Sequence, residues 1–527
     1  MWFLDIYWAS LLILVPCVTL VLGRNIVLRT FGLSTSAFDK TTNSKNGCKK
    51  EEDQEVNRQD VEEARKFRWL FLRVYLLVMG SEWLQGPYMY TLLKNEKNYS
   101  DRTVALLYMA AYISAAVSAP LTGYFADRIG RRTACLAYCA IHSLASLSVL
   151  SNMLEIIVVG RVLAGVGTTL LWSVFESWMV AEYNARGLGQ GQCNSRLPLS
   201  AMYGVMTTYN CITAILAGLV AHCVVLALGS KTHLFILALI LDSTAAIIIL
   251  RTWTENRGES SSDRSQQQIN GETTEPVDSL GGRLLDSLKN VRVWVLSLVS
   301  CCFEGTIFLF MYYWPGALQD AHDHNTNTKK DAAPDHQLPF GVIFASFMAI
   351  MVLGALLFDI LMTRHGRTPT NGSDAFLLQK HLPVGLLTIA LLLGGLGFLG
   401  AAFLGHREVP LLCAFLLLEV CNGLYVPSMG YQRSQVVSDA RRASVYGFMN
   451  IPLFVFVALA LIPTNGGQVG DHRHVVFIVC AGLLFAAGLG AFVGLRVRSF
   501  PDKEYAEIKE QETDDPQAEN FSVERDA

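Results

Sequence analysis

Apolar residues in this chain gather into blocks of about 20 residues, the length an α-helix needs to cross a roughly 30 Å hydrocarbon core. The first block, Trp2 to Leu22, has Asp5 near its start and Arg24 and Arg29 after it, whereas a cleaved leader carries its positive charge first. Residues 1–23 are therefore predicted to form an extra, uncleaved transmembrane helix that ends in the cytosol. A polar segment, 24–68, follows, and its Glu51 to Arg68 part mixes acids and bases as a solvated cytosolic helix or link does. Six blocks then run Trp69 to Leu93, Val104 to Ala126, Thr133 to Leu150, Glu155 to Tyr183, Leu199 to Leu228 and His233 to Leu250, a bundle over 69–250. Residues 251–290, rich in Ser, Gln, Glu and Gly, make a cytosolic linker. Six more blocks fill 291–497: Val291 to Leu318, Leu338 to Met362, Pro383 to Leu404, Val409 to Tyr431, Ser444 to Pro463 and His474 to Leu495. The acidic tail, 498–527, has no sustained apolar face and is expected to be disordered in the cytosol.

The pattern predicts an all-α membrane protein of two six-helix bundles plus one extra N-terminal transmembrane helix. Composition agrees, with 52% hydrophobic and 17% charged residues over 527 positions. The net charge of -3 is a small difference between loops rich in both signs, and it points to no nucleic-acid partner. The twelve cysteines lie mostly inside apolar blocks without CxxC pairs, as small core residues rather than disulfides or zinc ligands. His322-Asp-His324 with His336, and His472-Arg-His474, sit in polar loops without cysteine and are read as solvated, so no metal is expected. No nucleotide-binding loop and no set of nucleophile, base and acid is present, so neither a cofactor nor an enzyme is expected.

Orientation follows from the turn Gly123-Tyr-Phe-Ala-Asp127-Arg128-Ile-Gly130-Arg131-Arg132. Asp127 is expected to close one helix and Gly130 to permit the reversal, while the arginines mark the cytosolic side. The sequon at Asn98 then falls outside and is a glycosylation candidate, whereas those at Asn371 and Asn520 fall inside.

The halves repeat each other. Gly354 to Asp359 and Arg364 to Arg367 form a looser copy of the Asp127 turn. Glu82 and Glu304 lie near the middle of the first helix of each half, and Arg161-x-x-x-Gly165 matches Glu419-x-x-x-Gly423 at the same interval. Such parallel repeats mark one large transporter class. Gly123, Asp127, Arg128, Gly130, Arg131 and Arg132 resemble the signature turn of the major facilitator superfamily, and Arg161 to Gly167 resembles its fourth-helix arginine motif. The strings Trp83 to Tyr90, Phe175 to Trp178, Phe303 to Phe308, Leu338 to Met348 and Gly423 to Met429 resemble the eukaryotic molybdate-anion transporter family. The chain departs from that family's pattern at Glu82, one carbon longer than the expected acid, and at Asn450 before Pro452, where a basic residue is expected. The resemblance implies a major facilitator fold and uptake of the oxyanion molybdate across the cell membrane.

An ionisable side chain at membrane depth costs at least about 2.5 kcal/mol, so each such residue needs a lumen or a partner. Glu82, Arg161, Glu304 and Glu419 lie inside apolar blocks. Glu176 lies about 22 Å of helical rise below Arg161 and about 60° around from it. Arg161 offers a planar donor fork for a doubly negative oxyanion or for a carboxylate. Glu82 and Glu304 are candidate proton carriers, and Glu176 and Glu419 stand beside them. Asp242 is placed behind these because its helix is expected to face away from the cavity. Gln85, Tyr88, Asn422 and Tyr425 supply neutral donors, although ordinary helix packing is the preferred explanation of each. So many ionised acids would repel an anion unless protons or partners neutralise them. The reading that follows is a monomeric secondary transporter in the bilayer, possible partners being molybdate and protons; the alternatives are a proton-coupled carrier of an organic solute and a non-transporting receptor or scaffold.

Overall fold

The computed structural model describes residues 6–30, 50–188, 199–256, 291–327, 338–365, 373–436, 442–462 and 469–497. The sequons at Asn371 and Asn520, His336, most of the 251–290 linker and the 498–527 tail lie outside these residues. Described elements are helical: α1 (Ile6–Thr30), α2 (Lys50–Thr91), α3 (Asp101–Ile129), α4 (Arg131–Ser148), α5 (Leu154–Ala185), α6 (Leu199–Leu228) and α7 (Thr232–Thr252). The second half gives α8 (Val291–Asn327), α9 (Phe340–His365), α10 (Ser373–Phe403), α11 (Glu408–Val436), α12 (Arg442–Ala460) and α13 (Val469–Ala491). Among the described residues nine helices are long and apolar enough to cross a membrane, with shorter apolar stretches at Ile6–Leu20 and Asn450–Ala460. The apolar blocks locate these helices, and polar residues extend several of them. The acid-and-base segment before Trp69 is continuous with the first bundle helix in α2, and α8 runs past Leu318 to Asn327.

Packing reproduces the sequence repeat. Within the first bundle α2 packs on α6 and α7, α3 on α5, and α4 on α5 and α7. Adding six to each number gives the second bundle: α8 packs on α12 and α13, α9 on α11, and α10 on α11 and α13. The two bundles meet through α3 with α12 and α6 with α9, again exchanged by the same operation. Glycine permits the tightest crossings. A Cβ on Gly165 of α5 would run into the Ala111 backbone of α3, and one on Gly423 of α11 into the Met351 and Gly354 backbone of α9. The glycines matched by sequence interval thus occupy equivalent crossings.

One apolar core joins both bundles at the end opposite the Gly130 turn and runs the length of the second bundle; another, around Trp178 and Trp253, belongs to the first bundle alone. Bridging contacts follow suit. Gly341 N of α9 donates to the Tyr88 hydroxyl of α2 at 3.1 Å. The Gly218 backbone of α6 meets that of Gly341, where an added Cβ would stand 2.6 Å from the Gly341 carbonyl oxygen. Tyr90 crosses Tyr312 at 5.6 Å between ring centres, and Trp83 lies 5.8 Å from Phe344. Among the described residues the bundles are therefore sealed together at the end away from the Gly130 turn.

The extra helix α1 packs mainly on α9. Ser10 shares a hydrogen bond with Ser346 at 3.1 Å, the Tyr7 hydroxyl donates to Glu408 of α11 at 2.7 Å, and Trp8 meets His222 of α6 at 5.7 Å. It spans the seam between bundles at the α6 and α9 crossing.

Candidate functional site

The signature turn is a single residue. α3 continues through Asp127 to Ile129, later than the expected stop, and Gly130 (φ 114°, ψ 138°) separates it from α4. That conformation suits a residue without Cβ. The exposed first amides of α4 find their acceptor in Glu255, a residue beyond the last apolar block of the first half. Arg132 N donates to its Oε1 at 2.9 Å, and Thr133 donates to Oε2 from N at 3.2 Å and from Oγ1 at 2.6 Å. A carboxylate there satisfies orphan amides and complements the positive helix end. Arg132 Nη2 donates to the Leu250 carbonyl at 2.8 Å, and Arg131 Nη1 to that of Ser177 at 3.3 Å. These bonds stay inside the first bundle. Arg128 is exposed, Gly123 lies within α3, and the Asp127 side chain is outside the described residues. The strand of chain after α7 is clamped by Trp253 stacked on Trp178, 3.6 Å between ring centres, and by Trp178 Nε1 donating to the Thr254 carbonyl at 3.0 Å.

Two polar clusters occupy the bundles at membrane depth. In the first, His142 of α4 joins two acids from different helices. Its Nδ1 lies 2.6 Å from Asp242 Oδ2 of α7, and its Nε2 lies 3.1 Å from Glu82 Oε2 of α2. Ser81 and Gln85 stand beside the ring, Gln85 Nε2 donating to Ser146 at 2.9 Å, and Tyr138 stacks on the imidazole at 5.3 Å and 11°. Asp242 is fully buried, whereas Glu82 keeps 37% of its side-chain surface, so one acid is sealed and the other faces open space. Asp242 thus points into its own bundle, toward His142. His142 went unremarked in the sequence although it obeys the same rule as Glu82: an ionisable residue in the middle of an apolar block.

In the second cluster Glu304 Oε1 of α8 accepts from Arg433 Nη2 of α11 at 2.8 Å, from the Tyr425 hydroxyl at 2.9 Å and from Ser300 at 2.9 Å. Arg433 also reaches Ser300 at 2.5 Å, and Phe303 stacks on Tyr425 at 3.9 Å. Arg433 escaped the sequence reading because it follows the last apolar residue of its block. Glu419 is fully buried; its Oε2 accepts from Asn422 at 3.2 Å while Oε1 makes no hydrogen bond among the described residues. Glu176 accepts from the Tyr203 hydroxyl of α6 at 2.6 Å, within the first bundle and well below Arg161. The Tyr88 hydroxyl serves the seal described above. His322, expected in a polar loop, lies in the last turns of α8, 2.9 Å from Glu408 rather than free in solvent. Asn98 is exposed, at φ 57°, in the turn before α3.

Arg161 differs from Arg433. Its guanidinium sits 5.1 Å from the centre of the Tyr108 ring, its Nε makes no hydrogen bond, and no carboxylate lies within ion-pair reach among the described residues. Its field nevertheless acts on Glu82, Tyr108 and Tyr112. Tyr108 meets Tyr312 at 4.9 Å, and Tyr112 meets Phe308 at 5.5 Å and Phe454 at 6.5 Å, so rings from both bundles close over this level.

The profile of a family described as sugar transporters with twelve transmembrane helices matches residues 46–390. A molybdate-anion transporter from Danio rerio is 30% identical over 453 residues, covering 80% of this chain and 86% of that protein. The chain belongs to the molybdate-anion transporter family of the major facilitator superfamily. It is a multi-pass membrane transporter. The Takifugu rubripes molybdate-anion transporter is 28% identical over 447 residues, with 80% and 86% covered. Among solved structures, the nucleoside transporter NupG is 15% identical with a TM-score of 0.54, covering 82% of this transporter and all of that chain. The peptide transporter POT in complex with sulfate is 13% identical with a TM-score of 0.58, covering 82% and 95%. These two likenesses show the fold alone.

Proposed function

We propose that this transporter takes up molybdate across the plasma membrane by alternating access of its two bundles, with protons as the coupling ion. The observation that carries the proposal is Arg161. It is a permanent cation at membrane depth with no acid partner among the described residues, beside the Glu82 level and under rings from both bundles. A tetrahedral dianion supplies the missing charge and accepts from the guanidinium fork in two places. The acids that would repel it are otherwise engaged: Asp242 and Glu82 with His142, Glu304 with Arg433, and Glu419 with Asn422. The bundles sealed away from the Gly130 turn correspond to an arrangement open toward the predicted cytosol, and alternation requires that seal to break. The aromatic surround favours a second reading, an organic anion held by Arg161 against the Tyr108 and Tyr112 rings. Uptake of labelled molybdate by cells expressing Arg161→Gln tests the first reading. Loss of uptake supports it, and unchanged uptake overturns the role of Arg161. Competition by organic anions but not by sulfate selects the second reading.

A further inference from the structure

His142 is wired asymmetrically. At Nδ1 every neighbour is an acceptor: Asp242 Oδ2 at 2.6 Å, and Ser81 Oγ at 3.3 Å, whose own hydrogen goes to the Ala238 carbonyl at 3.2 Å. Asp242 Oδ1 makes no hydrogen bond, so the imidazole is the hydrogen-bond donor to this buried carboxylate among the described residues. A proton on Nδ1 is therefore held in place, because losing it leaves a carboxylate facing a lone pair in a water-poor interior. At Nε2 the neighbours are of both kinds. Glu82 Oε2 accepts at 3.1 Å, and the Gln85 amide nitrogen, 3.4 Å away, donates. Nε2 is satisfied with a proton, which it gives to Glu82, and without one, when it accepts from Gln85. A buried site that is satisfied in two protonation states is what a reversible proton carrier needs.

The surroundings give that proton a route and a consequence. Glu82 has the open side-chain surface, 37%, and His142 has only 7%, so exchange with water passes through Glu82. The titratable and charged groups around the ring are Glu82 from α2, Asp242 from α7, Tyr138 and Cys139 from α4 itself, and Arg161 from α5, whose field reaches Glu82 and, on α3, Tyr108 and Tyr112. With both ring nitrogens protonated, His142 and Arg161 balance Glu82 and Asp242. With Nε2 bare, the same groups carry one net negative charge and oppose an arriving dianion.

We propose that His142 is the proton-binding residue of the first bundle, loaded and unloaded at Nε2 through Glu82 and positioned at Nδ1 by Asp242. In loading, Glu82 takes a proton from lumen water and passes it to Nε2, leaving imidazolium between two carboxylates. In unloading, Nε2 returns that proton to Glu82 and thence to water, and Gln85 donates to the vacated lone pair. One proton moves per cycle, and its presence favours anion entry beside Arg161. This inference rests on the transport reading above.

The test uses the full-length protein in liposomes, with His142→Asn and His142→Ala. The asparagine amide can still donate to Asp242 but cannot titrate. With the membrane potential clamped, a gradient of about one pH unit drives about tenfold accumulation of labelled molybdate when one proton accompanies each anion. His142→Asn is expected to abolish that accumulation and flatten the pH profile, while gradient-free exchange of molybdate persists at the reduced, pH-independent rate that the wild type shows with Nε2 bare. Accumulation and pH profile like the wild type overturn the proposal. So does parallel loss of exchange, drive and thermal stability in both variants, which marks a purely structural histidine. If the wild-type protein moves no molybdate, the substrate reading fails, and nitrogen-15 histidine NMR of the substrate-free protein still decides the proton site. One ring should keep Nδ1 protonated while Nε2 titrates, and its signal should vanish in His142→Asn; absence of such a ring overturns the proposal.

Discussion

Gly130→Ala tests how the signature turn is built. At φ 114° and ψ 138° an L-residue is strained by about 1–3 kcal/mol. The new Cβ also lands on the Glu255 carboxyl, 2.5 Å from Cδ and 2.9 Å from Oε2. Glu255 must then move, and the bonds from Arg132 N and Thr133 N lengthen or break. Losing a cap of this kind costs about 1 kcal/mol, so the substitution should destabilise by about 2–4 kcal/mol in all. Glu255→Ala alone should cost about 1 kcal/mol and, by removing the obstacle, make Gly130→Ala cheaper by a similar amount in the double variant. The assay is a double-mutant cycle of thermal unfolding on the purified protein, with transport measured in parallel. A Gly130→Ala cost that is absent, or identical with and without Glu255, refutes the reasoning.

Other outcomes follow from the same contacts. Tyr88→Phe leaves the buried Gly341 N–H without its acceptor, which costs about 1–3 kcal/mol and should raise labelling by an impermeant thiol reagent from outside of a cysteine placed at Ala317, which is buried on α8 in the core shared by the two bundles. Gly218→Val puts a side chain into the Gly341 backbone and should hold the bundles apart there, lowering uptake while leaving the amount of protein in the membrane unchanged. Arg433→Gln removes the cation from Glu304 and leaves that carboxylate only Tyr425 and Ser300, which should lower both thermal stability and uptake; unaltered values of both show that the pair is dispensable. Asn98→Gln should increase the electrophoretic mobility of protein made in cells that glycosylate, and no shift means that the exposed turn is not modified.

The helices were legible because a span has to be apolar for its whole length, and the repeat was legible because glycines at tight crossings cannot drift. Gly165 and Gly423 show this: both meet backbone in the partner helix, and their shared interval survives in sequence. Helix ends were less legible, since polar residues can continue a helix beyond the bilayer, as in α2 and past Leu318 in α8. Glu82, Arg161 and Glu304 stood out as charges among apolar neighbours. Their partners did not. Which acid meets His142, and that Arg433 reaches Glu304, depends on how separate helices are rotated, and one helix's sequence does not contain that. Glu255 was hidden for a simpler reason. It lies in polar chain after α7 and acts only because that chain returns to the start of α4.

The most direct test of the account is uptake of labelled molybdate by cells expressing the protein, measured across external pH with and without excess sulfate. Uptake should exceed that of control cells, rise with external acid and be lost in Arg161→Gln. Uptake no greater than in control cells at every pH contradicts it.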